Sequence, residues 1–187
     1  MDSPKDWMRE YPHHLEDSVI LQATPESLFS FLDDHRNLGA HMSGGKSAML
    51  GMGGMTLKLD GQRGKKVGAH IVMTGSAFGF KLFIDEIVSE RQVSVRKSWE
   101  TLRSEIVVIG HYRLGFLLAA EKNGTRVTVQ IDYENSATHP ILSFLGGKLY
   151  AKWCVRQMLS AVTVNFVASA YVPAPSDKCL GDLVIQS

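Results

Sequence analysis

Long apolar runs, unbalanced charge and cysteine are what this chain is short of, and each shortage removes a class of protein. Its longest apolar stretches, such as 106–109 and 116–120, fall far below the roughly 20 residues a membrane-spanning helix needs. The first residues, Met1-Asp2-Ser3-Pro4-Lys5-Asp6, lack the apolar core of a secretory signal. Lys and Arg number 20 against 19 Asp and Glu, a formal net charge of +1. That balance gives no electrostatic footprint for nucleic acid, and it leaves room only for transient contact with a membrane. The two cysteines make no disulfide framework. Cys154 lies in a helical pattern and reads as a small buried hydrophobe, whereas Cys179 reads as a free thiol near the C-terminus. A soluble, cytoplasmic protein is the expectation; composition says nothing of its oligomeric state.

Metal and nucleotide motifs are missing too. The seven histidines contain no H-E-x-x-H, and none stands at ligand-like spacing from cysteines or carboxylates. They are expected at solvated sheet-face or turn positions. Gly45-Lys46-Ser47 lacks the earlier glycine of a phosphate-binding loop, because Ala40 stands there. Gly51-Met52-Gly53-Gly54 fails the dinucleotide pattern at Thr56. No cofactor and no metal is expected. A nucleophile-elbow pattern is also absent.

What the chain does have is 187 residues at 44% hydrophobic content, enough for one globular domain with a sizeable core. Residues 14–23 read as a strand. Thr24-Pro25-Glu26 then gives a helix start, with Thr24 as N-cap and Pro25 in the first helical position. Strand-like segments follow at 55–60, 67–78, 80–88, 92–101, 105–121 and 125–136. Val127, Val129, Ile131 and Tyr133 alternate with Thr128, Gln130, Asp132 and Glu134, so one face of that strand is buried. Lys122-Asn123-Gly124 supplies hairpin chemistry; 62–65 and 89–91 are further turn candidates. Last comes a helical run over 140–170, with Leu142, Leu145, Leu149, Trp153, Leu159, Val162 and Phe166 at helical spacing. At 1.5 Å per residue, about 30 residues would span roughly 45 Å. The order predicts an antiparallel meander wrapped on a long helix. Residues 1–13 read as an irregular leader, 14–170 as one domain and 171–187 as a tail.

Three stretches together resemble the START-like helix-grip superfamily, also called SRPBCC. They are Val19-Ile20-Leu21-Gln22-Ala23-Thr24-Pro25-Glu26-Ser27-Leu28-Phe29, the Asn123-Gly124-Thr125-Arg126-Val127-Thr128 hairpin, and the amphipathic helix from about Ile141. The resemblance covers about residues 14–170. It implies an α+β fold: a curved antiparallel sheet of about seven strands around a long C-terminal helix, with short helices after the first strand. Polyketide cyclases, aromatases and lipid carriers share that fold, and no common catalytic motif comes with it.

The expected function is binding or transport of a small hydrophobic ligand (a lipid, isoprenoid, polyketide or aromatic) between sheet and helix. Its candidate contacts are Lys97, Trp99, Tyr112, Phe116, Tyr133 and Trp153. Lys97 and Trp99 share a face with Val93 and Val95. An inward Lys97 needs an acidic partner or a ligand, whereas one near a strand end reaches water. A second expectation is catalysis of the cyclase, aromatase or dehydratase kind, with Lys97, Tyr112 and Tyr133 as acid or base candidates. A third is a non-catalytic accessory domain that binds a partner protein. The segment 43–55 mixes five glycines with Met49, Met52 and Met55, and reads as a gating loop over the pocket mouth.

Overall fold

The computed structural model of the protein describes residues 10–39, 56–77, 80–106 and 108–170. Met49, Met52 and Met55, Cys179 and the tail lie outside the described residues, as does most of the leader.

Strand β1 (His13–Leu21) runs into a short helix, α1 (Pro25–Leu32), followed by α2 (His35–Gly39). The Thr24 hydroxyl accepts from Ser27 N at 3.3 Å, with Pro25 opening the helix and Glu26 in its first turn. Leu28, Phe29 and Leu32 form the buried stripe, and Asp33 caps the far end. Strands β2 (Thr56–Leu59), β3 (His70–Ala77), β4 (Phe80–Gln92), β5 (Arg96–Ser104), β6 (Tyr112–Glu121) and β7 (Gly124–Tyr133) precede α3 (Pro140–Ala170).

The strands form one seven-stranded antiparallel sheet in the order β1-β7-β6-β5-β4-β3-β2. A plain meander builds β2 to β7, and β1 closes on its last strand. Gly124 makes that junction at φ +141°, where an added Cβ would lie 2.2 Å from Leu21 O. Only glycine fits there.

Turn positions differ from the sequence reading in two places: the strand expected over 105–121 begins only at Tyr112, with β5 running on to Ser104, and the turn expected at 89–91 is displaced. Residues 89–91 do not turn. β4 continues to Gln92 through irregularities at Asp85/Glu86 and Val88/Glu90, and the chain reverses at Val93-Ser94-Val95. Ser94 adopts φ +61°, and Val93 is exposed in the turn rather than sharing the Lys97 face. A bulged strand bends and twists more than a regular one, so β4 carries its length around the curve.

The helix keeps the expected face in its second half, where Leu159 and Val162 are buried and Phe166 packs on the core, but presents a different one in its first half. Leu142, Leu145 and Leu149 are exposed, with Ile141 and Phe144 beside them. The line toward the sheet is Ser143, Gly147, Ala151, Val155, Met158, Leu159 and Val162. Small residues win these places because the backbone comes close. A Cβ on Gly147 would sit 3.2 Å from Val108 O and 3.5 Å from the Tyr133 ring. The Ser143 hydroxyl donates to Val108 O at 2.9 Å and accepts from Ser136 N at 2.7 Å, tying the first helical turn to the loop behind it. α3 rests mainly on β1 and β7, and α1 on β6. Among the described residues, no helix is long and apolar enough to cross a membrane, and no three His, Cys, Asp or Glu side chains are grouped to hold a metal.

Candidate functional site

Strand register decides which side chains share the face toward the helices. Glu86 pairs with Thr101 across β4–β5, Thr101 Oγ1 donates to Tyr112 O, and Tyr112 pairs with Tyr133, which pairs with His13. This is one polar row in an apolar wall. The next row along holds Val88, Trp99, Leu114 and Ile131. Beyond it Lys97 pairs with Phe116, and Phe116 with Val129.

Two polar centres are built on this face. The first joins the helices to the sheet. Lys97 is 1% exposed, and its Nζ donates to both Asp33 O and Asp33 Oδ1 at 2.9 Å. Arg91 holds the same carboxylate with two bonds, Nε to Oδ1 at 3.0 Å and Nη2 to Oδ2 at 2.9 Å. Burial pushes the Asp33 carboxyl up, but Arg91 and Lys97 outweigh that and hold it below the usual range. Burial brings the Lys97 ammonium down to about 8, with Asp33 resisting the fall. Lys97 therefore meets an acidic partner and does not reach water.

His35 is the neighbour of this cluster. Its Nδ1 lies 3.5 Å from Lys97 Nζ, its ring stands edge-on to Trp99 at 4.7 Å, and Gly64 packs against it. Burial, then the Lys97 charge, brings the imidazole down to about 3, so it is neutral at physiological pH. It is thus a buried histidine and not a solvated one. Nothing local announced this, because its neighbours come from residues 62 and 64 positions away.

The second centre lies between sheet and α3. Glu86 is 1% exposed, and its Oε1 accepts from the Tyr112 hydroxyl at 2.5 Å. Tyr150 and Cys154, neighbours one turn apart on α3, lie closely enough to this pair to feel its charge. The Trp99 side chain lies near enough to the carboxylate to favour its charged form slightly, without making a hydrogen bond to Oε2. Burial lifts the Glu86 carboxyl to about 7, Tyr112 pulls it back, and neighbouring Asp85 adds to the rise. Burial likewise raises the Tyr112 and Tyr150 phenols well above their ordinary value and pushes the Cys154 thiol up to about 12. All three hold their protons at neutral pH.

The sequence-predicted residues divide between these places. Tyr112 and Trp99 stand at the Glu86 centre, and Lys97 belongs to the Asp33 cluster. Phe116 packs edge-on against Phe29 of α1, with ring centroids 5.7 Å apart. Tyr133 abuts Gly147 of α3 and the His13 ring. Trp153 is half-buried on α3, tilted against Tyr150 at 5.9 Å. Glu86 escaped notice, although Leu82, Ile84 and Val88 mark its phase of β4 as an apolar one. Phe83 and Ile87 on the opposite phase blurred that signal.

A pocket of about 270 Å³ is lined by Glu90, Arg96, Ser98, Arg113, Leu117 and Gln130, and two of the expected ligand contacts, Lys97 and Phe116, also border it. Gly115 lies between Ser98 and Gln130 in the strand register.

Solved structures now fix what this architecture is. An aromatase/cyclase, Zhui from a Streptomyces species, superposes with a TM-score of 0.63 at 13% identity, over 86% of this chain and 96% of that one. A START superfamily protein from Mycobacterium smegmatis gives 0.55 at 12% identity, over 84% and 99%. TTHA0849 from Thermus thermophilus gives 0.57 at 17% identity, over 84% and 99%. The chain has the START-like helix-grip fold. No protein-family model matches it, and no curated protein matches it in sequence. At these identities the helix-grip likeness is one of fold alone.

Proposed function

We propose that this helix-grip domain binds one small, largely apolar molecule between α3 and the inner face of the sheet. The observation that carries the reading is the row Glu86, Thr101, Tyr112 and Tyr133, turned toward the helix within an apolar wall. Ligand sites combine apolar lining with a few polar groups that fix orientation, and this face has that composition. Trp99, Leu114 and Ile131 supply the apolar contact, with Tyr150 and Cys154 opposite. The Asp33–Lys97–Arg91 cluster serves to fasten the short helices to β4 and β5.

Native mass spectrometry of protein purified without denaturation tests this. An adduct of a few hundred daltons, lost on denaturation, is the expected result. Protein that carries nothing and binds no naphthalene-sized probe at millimolar concentration would overturn it.

A second reading, catalysis on a carbonyl-bearing substrate, is favoured by the Glu86–Tyr112 pair. A carboxyl brought to about 7 is matched to proton transfer at neutral pH, and Tyr112 is bonded to it. The aromatase/cyclase among the similar structures lends the reaction class to consider. Turnover of a poly-β-ketone mimic, lost in Glu86→Gln with binding retained, is the expected sign. Unchanged substrate with wild-type protein excludes it for that substrate class.

A further inference from the structure

The Glu86 carboxyl is only half used. Oε1 accepts from Tyr112, but Oε2 is buried with no hydrogen-bond partner among the described residues. Leaving such an oxygen unmet is costly, and more so when it is charged. We propose that Glu86 Oε2 receives a hydroxyl group of the ligand, so that the site takes an apolar alcohol or phenol in preference to the matching hydrocarbon or carboxylic acid. This rests on the binding reading given above.

The surroundings narrow the choice. Tyr112 comes from β6, Trp99 from β5, and Tyr150 and Cys154 from α3; Asp85 is adjacent along β4. None of these is a cation. An incoming carboxylate would bring a second negative charge to a buried acid with nothing to neutralise it. A hydrocarbon would leave Oε2 unmet. A carbonyl would satisfy only the protonated acid, and an ammonium only the ionised one. With the carboxyl poised at about 7, both forms are present at neutral pH. A hydroxyl donates to the carboxylate and accepts from the acid, so it fits either form.

Three probes of one shape test the idea: naphthalene, 2-naphthol and 2-naphthoic acid, titrated calorimetrically at pH 7. The expected order places 2-naphthol about tenfold or more tighter than naphthalene, as a hydrogen bond to a buried charged group implies, with 2-naphthoate weakest. In Glu86→Leu the 2-naphthol advantage should fall to about onefold while naphthalene still binds. Carboxyl carbon NMR of wild-type protein gives the same answer without a variant. The Glu86 titration should move to lower pH with 2-naphthol and stay in place with naphthalene. Equal affinities, or a preference that survives Glu86→Leu, would overturn the proposal and leave apolar binding standing. Failure of all three probes to bind would overturn both.

Discussion

Replacing Glu86 by Gln should change how stability depends on pH, by an amount that follows from its burial. The folded carboxyl titrates at about 7 against an ordinary 4.5. Between those values the folded protein holds a proton that the unfolded chain has lost, so stability falls as pH rises through this window. At 1.36 kcal/mol per pH unit, most of that separation, about 3 kcal/mol, falls between pH 4.5 and 8. Gln cannot ionise, so this loss disappears in the variant. Its carbonyl can still accept from Tyr112, and any cost of burying its amide is the same at every pH. His35 contributes an opposite slope. Its folded pKa of about 3 lies below the ordinary 6.5, so stability rises with pH across that interval. Both proteins share this contribution, and it cancels in the difference. Urea unfolding of the two proteins at pH 4.5, 6, 7 and 8 measures the quantity directly, provided the slopes agree. The variant should gain about 3 kcal/mol on wild type from the lowest to the highest pH. Parallel stability curves would mean that Glu86 ionises normally and is not held in a dry site.

Lys97→Met should cost about 3 kcal/mol in urea unfolding. Breaking a buried pair is expensive, and Arg91 keeps part of the Asp33 charge compensated; a change below about 1 kcal/mol would count against the cluster as a fastening. Gly124→Ala should lose at least about 2 kcal/mol, because its Cβ meets Leu21 O at 2.2 Å in a backbone conformation alanine avoids. On α3, Leu145→Ser and Leu149→Ser should each stay within about 0.5 kcal/mol, whereas Val155→Ala should cost about 1–3 kcal/mol. The reverse ranking, read by thermal melts, would restore the face that periodicity favours.

Much of the architecture follows from short-range rules written in the chain. Alternation in residues 125–133 fixes which face of β7 is buried, and Thr24-Pro25-Glu26 starts a helix whatever lies beyond it. Strands joined by short turns pair with their neighbours, so the meander was legible before any contact was known. Turn placement at Ser89 was not, since a bulged strand keeps extended geometry through residues that resemble a turn.

The site depended on partners far away in sequence. Lys97 is buried because Asp33, 64 positions earlier, reaches it, and nothing in β5 reports that distance. Helical spacing put Leu142, Leu145 and Leu149 on the inner face, since periodicity weighs apolar character and ignores size. Close approach of α3 to Val108 and Tyr133 instead selected Ser143, Gly147 and Ala151. Glu86 carries the same lesson. Its phase on β4 is set locally, but its depth is not. Whether the carboxyl is solvated, paired or left with an oxygen to offer is decided by Tyr112, Trp99, Tyr150 and Cys154, which only the folded sheet and helix bring together.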